Sequence, residues 1–246
     1  MTRVPTVFDR LQDRSDAGRR LGVRLAAAGL SRPVVLGIPR GGVVVAVEIA
    51  AALSAPVDVL VVRKVGLPSE PEYGVGAVAE GGVVVLDERR ILAAGLRIPD
   101  LADAVRREQE EVADRSRRFR AGGPPIPLGD GTAVIVDDGV ATGGTIEAAA
   151  TVARRRGARR VVVAIGVAPP EVLPRLRSIA DAVEVALLPT RFEAVGQWYH
   201  RFEPIEDEEV LRLLALSGKD RAAAREAGPP SAGPARKRGE GRDTGR

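Results

Sequence analysis

The chain of 246 residues has no cysteine. Disulfides, thiolate metal sites and a cysteine nucleophile are all excluded by that absence. Aromatic side chains are scarce at 3% of the total, so the adjacent pair Trp198-Tyr199 stands out. Lysine is nearly absent too: Lys64, Lys219 and Lys237 are three against a basic complement that is otherwise arginine. No run reaches the roughly 20 apolar residues that a membrane helix needs. Residues 1–11 lack a continuous apolar stretch of signal-peptide length. The expectation is a cytoplasmic protein with no membrane partner.

What is present looks globular. Hydrophobic content of 45% beside charged content of 28% is ordinary for a folded domain. The length suits one large α/β domain or two small ones. A pI near 10 suggests nucleic acid, yet the net charge of +4 is unevenly placed. From residue 217 onward, eight basic residues face four acids, so this tail carries the whole excess. Its Gly, Pro, Ala and Arg content and lack of apolar periodicity predict a disordered basic tail over 217–246. Being short and mixed in sign, it reads as a solvated extension and argues against a nucleic-acid arm.

Strand and helix signals alternate along residues 1–216. Helical spacing marks residues 16–28, and a buried strand follows at 33–38. Residues 43–53 read as a helix, although their β-branched content also suits a strand. A second buried strand is expected over 57–62. Residues 75–78 and 83–86, joined by Glu80-Gly81-Gly82, read as a hairpin. Two helices, at 89–96 and 101–119, make a helical insertion over about 88–122, ended by Gly122-Gly123-Pro124-Pro125. In the second helix, Arg106, Arg107, Arg115, Arg117, Arg118 and Arg120 alternate with acids, which reads as a salt-bridged exposed face. Strands at 133–136, 160–165 and 183–187 then alternate with helices at 145–155 and 170–179. Such alternation implies an α/β fold, a mainly parallel sheet flanked by helices. Ligands of such sheets bind outside the carboxyl ends of the strands.

The most informative segment is Val134-Ile135-Val136-Asp137-Asp138-Gly139-Val140-Ala141-Thr142-Gly143-Gly144-Thr145-Ile146. A buried strand delivers two carboxylates to its end, and a small-residue turn then opens an alanine-rich helix. The helix start offers unpaired N–H groups and a positive dipole end to a phosphate. Acceptors for hydroxyls beside donors for a phosphate suit a sugar phosphate. An ordinary strand–turn–helix would not place two acids at a buried strand end, where they cost folding energy without a partner. A dinucleotide site is disfavoured, because no G-x-G-x-x-G opens a helix after the first strand.

This segment resembles the phosphoribosyl-pyrophosphate (PRPP) signature of the type I phosphoribosyltransferases, and the resemblance extends over about residues 8–216. A Gly196-Gln197-Trp198-Tyr199 segment after the core is similar to that of a bacterial branch of the family. The resemblance implies the type I phosphoribosyltransferase fold with a small hood over about 190–205. It implies that Asp137 and Asp138 hold the ribose hydroxyls and, through water, a Mg2+ ion. Ala141, Thr142, Gly143, Gly144 and Thr145 would bind the 5-phosphate. Ile38-Pro39-Arg40-Gly41-Gly42 resembles the pyrophosphate loop, with Arg40 on the diphosphate, N–H groups from Gly41 and Gly42, and a cis peptide at Pro39–Arg40. Arg63 and Lys64, at the expected strand end, would meet the diphosphate beneath a flexible loop containing Gly66, Pro68, Ser69, Glu70 and Pro71.

Arg40, Lys64, Asp137 and Asp138 are thus the candidate catalytic residues. In the oxopurine-specific branch an aspartate precedes Thr-Gly, whereas this chain has Ala141 there, so oxopurine acceptors are disfavoured. Trp198 and Tyr199 could stack on an acceptor ring or pack in the core or a dimer contact; His200, the single histidine, reads as a surface residue. The expected activity is Mg-dependent transfer of 5-phosphoribosyl from PRPP to a nitrogenous acceptor with release of diphosphate. A PRPP- or nucleotide-sensing regulator of the same fold is the alternative. Dimers are common in the family.

Overall fold

The computed structural model describes residues 10–70 and 73–226. The chain runs α1 (Arg14–Ala27), β1 (Pro33–Gly37), α2 (Gly41–Leu53), β2 (Val57–Val59), β3 (Val62–Gly66), β4 (Gly74–Ala79), β5 (Val83–Leu86), α3 (Glu88–Ala93), α4 (Ala102–Phe119), β6 (Thr132–Gly139), α5 (Gly144–Arg155), β7 (Arg160–Val167), α6 (Leu173–Ile179), β8 (Ala182–Leu187) and α7 (Asp207–Glu226). Five strands form a parallel sheet in the order β2-β1-β6-β7-β8, and β3-β4-β5 form a separate antiparallel sheet.

β-Branched runs build the central strands because both faces of the parallel sheet are covered. Alternation sends Val134, Val136, Val162 and Ala164 to one face, against Leu21, Leu25, Val45 and Ile49 of α1 and α2. Ile135, Val163 and Ile165 face the other way, toward Ile146 and Ala149 of α5, Leu176 of α6, and Ala77 and Val83 of the second sheet. The antiparallel sheet therefore joins the core through α5. A buried charge network anchors it further: Arg120 reaches Asp58 of β2 at 2.9 Å and Glu80 of the hairpin turn at 3.0 Å. Such a network persists because every charge in it is paired and hydrogen-bonded.

The expected strand over 57–62 is two strands in two sheets. The Leu60 N–H donates to Gly37 O at 2.9 Å, and the Val61 N–H donates to a Glu80 carboxylate oxygen at 2.8 Å. The chain crosses between sheets at these residues. The apolar run of residues 59–62 carries no local mark of the crossing, where the partner of the Val61 N–H is a side chain 19 positions away. Residues 43–53 lie within helix α2, and the hairpin stands as expected.

The insertion lies on the second sheet, where Leu101, Ala104, Val112 and Phe119 pack with Val65, Val75 and Val78. Its outer face is salt-bridged, with Arg106–Asp103 at 2.6 Å and Arg115–Glu111 at 2.8 Å. The tail expected to be disordered from 217 begins as helix, since α7 continues to Glu226. Ala222-Ala223-Ala224 supply strong helix formers there. Residues 227–246, like Pro71, lie outside the described residues.

Candidate active site

The carboxyl ends of β1 and β6 lie side by side, because the two strands pair in parallel up to Gly37 and Val136. Each strand is followed by a helix that opens on glycine, α2 at Gly41 and α5 at Gly144. Two helix starts, each with unpaired N–H groups and a positive dipole end, therefore flank the acids at the end of β6.

Contact between the two loops is close. A Cβ on Gly41 would run into the Asp138 carboxylate and lie 2.8 Å from Arg14 Nε. One on Gly42 would lie 2.6 Å from Val136 O and 2.9 Å from Asp137 Cα. Only glycine permits this approach, so the Pro39–Gly42 loop and the acid pair form one surface. The peptide bond between Pro39 and Arg40 is cis, as the resemblance implied.

Asp138 is tied down on several sides. Its Oδ2 accepts from Arg14 Nε at 2.6 Å, and its main-chain carbonyl accepts from the Tyr199 hydroxyl at 2.6 Å. Asp137 Oδ1 accepts from the Asp138 N–H at 2.9 Å. Burial, and then the neighbouring Asp138 carboxylate, push the Asp137 pKa well above the usual carboxylate range. A cation would relieve that cost. Among the described residues no group of three or more acidic or histidine side chains gathers to cage a metal. Two carboxylates instead fit Mg2+ held largely through water and a substrate phosphate.

Beyond the acids, a cleft of about 360 Å³ opens between the phosphate loop and the antiparallel sheet. Ala141, Thr142, Gly144 and Thr145 form one wall, and Lys64, Tyr73, Gly76, Val85, Asp87 and Arg90 stand among the residues opposite. Gly143 takes φ of 84° at the turn, a left-handed conformation that glycine adopts freely. Arg175 of α6 braces this loop by donating to Thr142 O at 3.1 Å and to Glu147 at 2.7 Å.

The expected site residues separate into groups. Asp137, Asp138, Gly41, Gly42 and the 141–145 loop come together, and Lys64 faces the same cleft. Arg63 does not: it sits in the middle of β3, opposite Val78, and its Nε bonds Glu108 of α4 at 2.9 Å. Neighbours in a strand point to opposite faces, so of the two cations only Lys64 lines the cleft beside the 141–145 loop. Arg40 stands at the start of α2 but meets the start of α7, Glu206 just before it at 3.4 Å and Asp207, its first residue, at 3.9 Å.

Trp198 and Tyr199 offer no stacking platform. Tyr199 is 3% exposed and stacks on Phe202 with ring centroids 5.0 Å apart. Burial pushes its pKa up, so the hydroxyl stays a donor. Trp198 packs at the edge of the core beneath the parallel sheet. The segment expected as a hood is thus a strut behind the acids, seated against Gly139 and Gly166. His200 is exposed.

Known proteins agree with this architecture. The phosphoribosyl transferase domain matches residues 9–186. The chain belongs to the phosphoribosyl transferase family. A Mycobacterium tuberculosis protein (strain CDC 1551 / Oshkosh) named "Putative phosphoribosyl transferase MT0597" is 47% identical over 213 residues, 86% of this chain and 48% of that protein. "Putative phosphoribosyl transferase Rv0571c" from strain H37Rv matches to the same extent. The chain thus spans about half the length of the curated relatives it matches. The crystal structure of TT1426 from Thermus thermophilus superimposes with a TM-score of 0.70 at 43% identity, over 83% of this chain and 97% of that one.

Several residues around the acids and the cleft escaped sequence reasoning. Arg14 and Phe202 support Asp138 from distant positions, Arg175 braces the phosphate loop, and Tyr73, Asp87 and Arg90 line the cleft. The helix expected from the spacing begins at residue 16, whereas α1 begins at Arg14, so Arg14 lies outside the expected element and carries no local signal. Arg14 falls one turn before Gly18 and Leu21 on the buried side of α1.

Proposed function

We propose that this chain transfers a 5-phosphoribosyl group from PRPP to a nitrogenous small-molecule acceptor and releases diphosphate. The observation that carries the reading is the fusion of the Gly41-Gly42 loop with the Asp137-Asp138 pair beside the α5 start. It sets a diphosphate site, hydroxyl acceptors and a 5-phosphate cradle on one surface. Mg2+ bound through the acids and the diphosphate would neutralise charge on the leaving group.

The chain's own residues do the rest. N–H groups of Gly144 and Thr145 anchor the 5-phosphate and fix the sugar, which reduces the entropic part of the barrier. Carboxylates at the end of β6 hold the ribose hydroxyls. As the bond from C1 to the diphosphate oxygen breaks, positive charge grows on the ribose and negative charge on the diphosphate. Lys64 and Arg40 stabilise the departing anion. The acceptor nitrogen attacks C1 from the opposite face and sheds its proton after the bond forms. Ala141 offers no carboxylate to take a ring proton, which directs the reading away from oxopurines.

Calorimetry with PRPP and Mg2+ tests the donor half, and a diphosphate-release screen over purines, pyrimidines, nicotinate-like acids and amines tests the acceptor half. Tight PRPP binding that is lost in the Asp137→Asn, Asp138→Asn double variant is the expected result. Unchanged affinity in that variant would overturn the site assignment. Binding without release by any acceptor class would make the chain a PRPP sensor.

A further inference from the structure

Two adjacent carboxylates look interchangeable in the sequence, but their surroundings differ. Asp138 lies on the α1 face of β6, with Val134 and Val136, and Asp137 on the α5 face, with Ile135. Asp138 meets Arg14 there at 2.6 Å, and both side chains are largely buried, 10% exposed for Arg14 and 15% for Asp138. Arg14 is itself fixed: its Nη1 donates to Glu203 O at 2.9 Å, and its guanidinium lies 3.8 Å above the Phe202 ring. Gly41 closes over the same Asp138 oxygen so tightly that no Cβ fits. Among the described residues Asp137 has no ion-pair partner; its Oδ1 accepts from the Asp138 N–H at 2.9 Å, and the Asp138 carboxylate lies beside it.

From this geometry we infer that Arg14 is a positioning residue that divides the labour of the acid pair. It neutralises Asp138 from within the protein and pins that carboxylate's Oδ2, leaving Asp137 as the acid that meets ligand hydroxyls and the hydrated cation. This rests on the phosphoribosyl-transfer reading for the identity of the ligand, but not for the clamp itself. Arg14 touches neither ligand nor reacting atoms. Its contact is with Asp138, where it holds one oxygen against Gly41 and so sets the floor on which the 39–42 loop rests. An arginine is required because one planar group must reach a carboxylate and a carbonyl while presenting its face to a ring. Tyr199, which bonds the Asp138 carbonyl and stacks on Phe202, completes the support from the same side.

The test separates clamp from ligand. Arg14→Met, Arg14→Lys, Asp138→Asn and the Arg14→Met/Asp138→Asn pair would be compared in urea unfolding and in calorimetry with PRPP and Mg2+. Arg14→Met should lower stability, and adding Asp138→Asn should restore part of the loss by removing the stranded carboxylate. In calorimetry Arg14→Met should weaken PRPP binding by about tenfold or more, the scale seen when a group that orients a ligand-binding residue is removed. The stoichiometry per folded chain should stay unchanged, which a loss of folded protein would not allow. Arg14→Lys should recover part of the affinity. Wild-type affinity in Arg14→Met, or a stability cycle with no coupling between Arg14 and Asp138, would overturn the inference. Should Arg14→Met fail to fold, full PRPP affinity in Arg14→Lys would count against the need for the guanidinium. If the wild-type chain binds no PRPP, the functional reading falls while the stability cycle still decides the clamp.

Discussion

Replacing Gly144 with alanine should strengthen the fold and weaken ligand binding. Gly144 is the first residue of α5, and a Cβ built there meets nothing within 4 Å. Its backbone is not in the left-handed region, unlike that of Gly143 at φ +84°. Alanine therefore fits without strain, and glycine in a helix costs about 0.5–1 kcal/mol relative to alanine. For a chain of this length each kcal/mol is about 2–4 °C in Tm, so Gly144→Ala should raise Tm by about 1–4 °C. The space the methyl enters is that of the 5-phosphate in the proposed complex. Losing one hydrogen bond to a charged group costs about 1.5–3 kcal/mol, which is about a ten- to hundredfold weaker Kd. Differential scanning calorimetry and PRPP titration read the two effects separately. Gly143→Ala is the control: it should lose both stability and binding, since its φ is costly for alanine and Val172 lies 3.2 Å from the new atom. A Gly144→Ala protein that melts lower, or that binds PRPP like the wild type, would refute the argument.

The acid pair gives a pH signature. Because burial and Asp138 raise the Asp137 pKa in the folded state, folded protein binds more protons there, and stability should fall as pH rises from the ordinary carboxylate range through the raised pKa. Asp137→Asn should remove that slope and raise Tm at neutral pH while abolishing PRPP binding, as thermal melts across pH and calorimetry would show. Tyr199→Phe should cost about 1–3 kcal/mol in urea unfolding, since it strands the Asp138 carbonyl beneath the site; a neutral effect would contradict the strut. Glu206→Gln should tighten PRPP binding by no more than about fivefold at low salt, because the Arg40–Glu206 pair is exposed and such pairs contribute about 0–1 kcal/mol. A larger gain would mean that α7 locks the loop.

What the sequence disclosed is what is local in the chain. Strand, acids, turn and helix of residues 134–146 are contiguous, so periodicity and loop chemistry sufficed to place the strand end, the two acids and the helix start. The same is true of Pro39–Gly42 between β1 and α2. Hidden features depend on contacts across long separations: Arg14 meets Asp138 from 124 positions away, and Tyr199 reaches it from 61. Trp198-Tyr199 looked available because aromatics are rare, yet the Tyr199 hydroxyl is seated on Gly166 and Trp198 is partly buried against the core. Arg63-Lys64 was misread for a different reason. An apolar run followed by two cations looks like a strand end, and only the crossing between sheets places those cations mid-strand on opposite faces.

The same contrast separates the two halves of the cleft. Beside the cleft the acid pair is over-determined, since Gly41, Gly42, Arg14 and Tyr199 all constrain the acids through close contacts, and a change in one strains the others. Opposite them, the cleft is lined by Tyr73, Gly76, Val85, Asp87 and Arg90, carried on a three-stranded sheet that reaches the core mainly through α5. Tyr73 is 39% exposed, and Arg90 holds to Gly74 O at 3.0 Å and to Asp87 at 3.5 Å, within its own hairpin and helix. The wall from Tyr73 to Arg90 thus stands apart from the acid pair and faces the 141–145 loop across the cleft, so substitutions there are expected to change the cleft while leaving the acids in place.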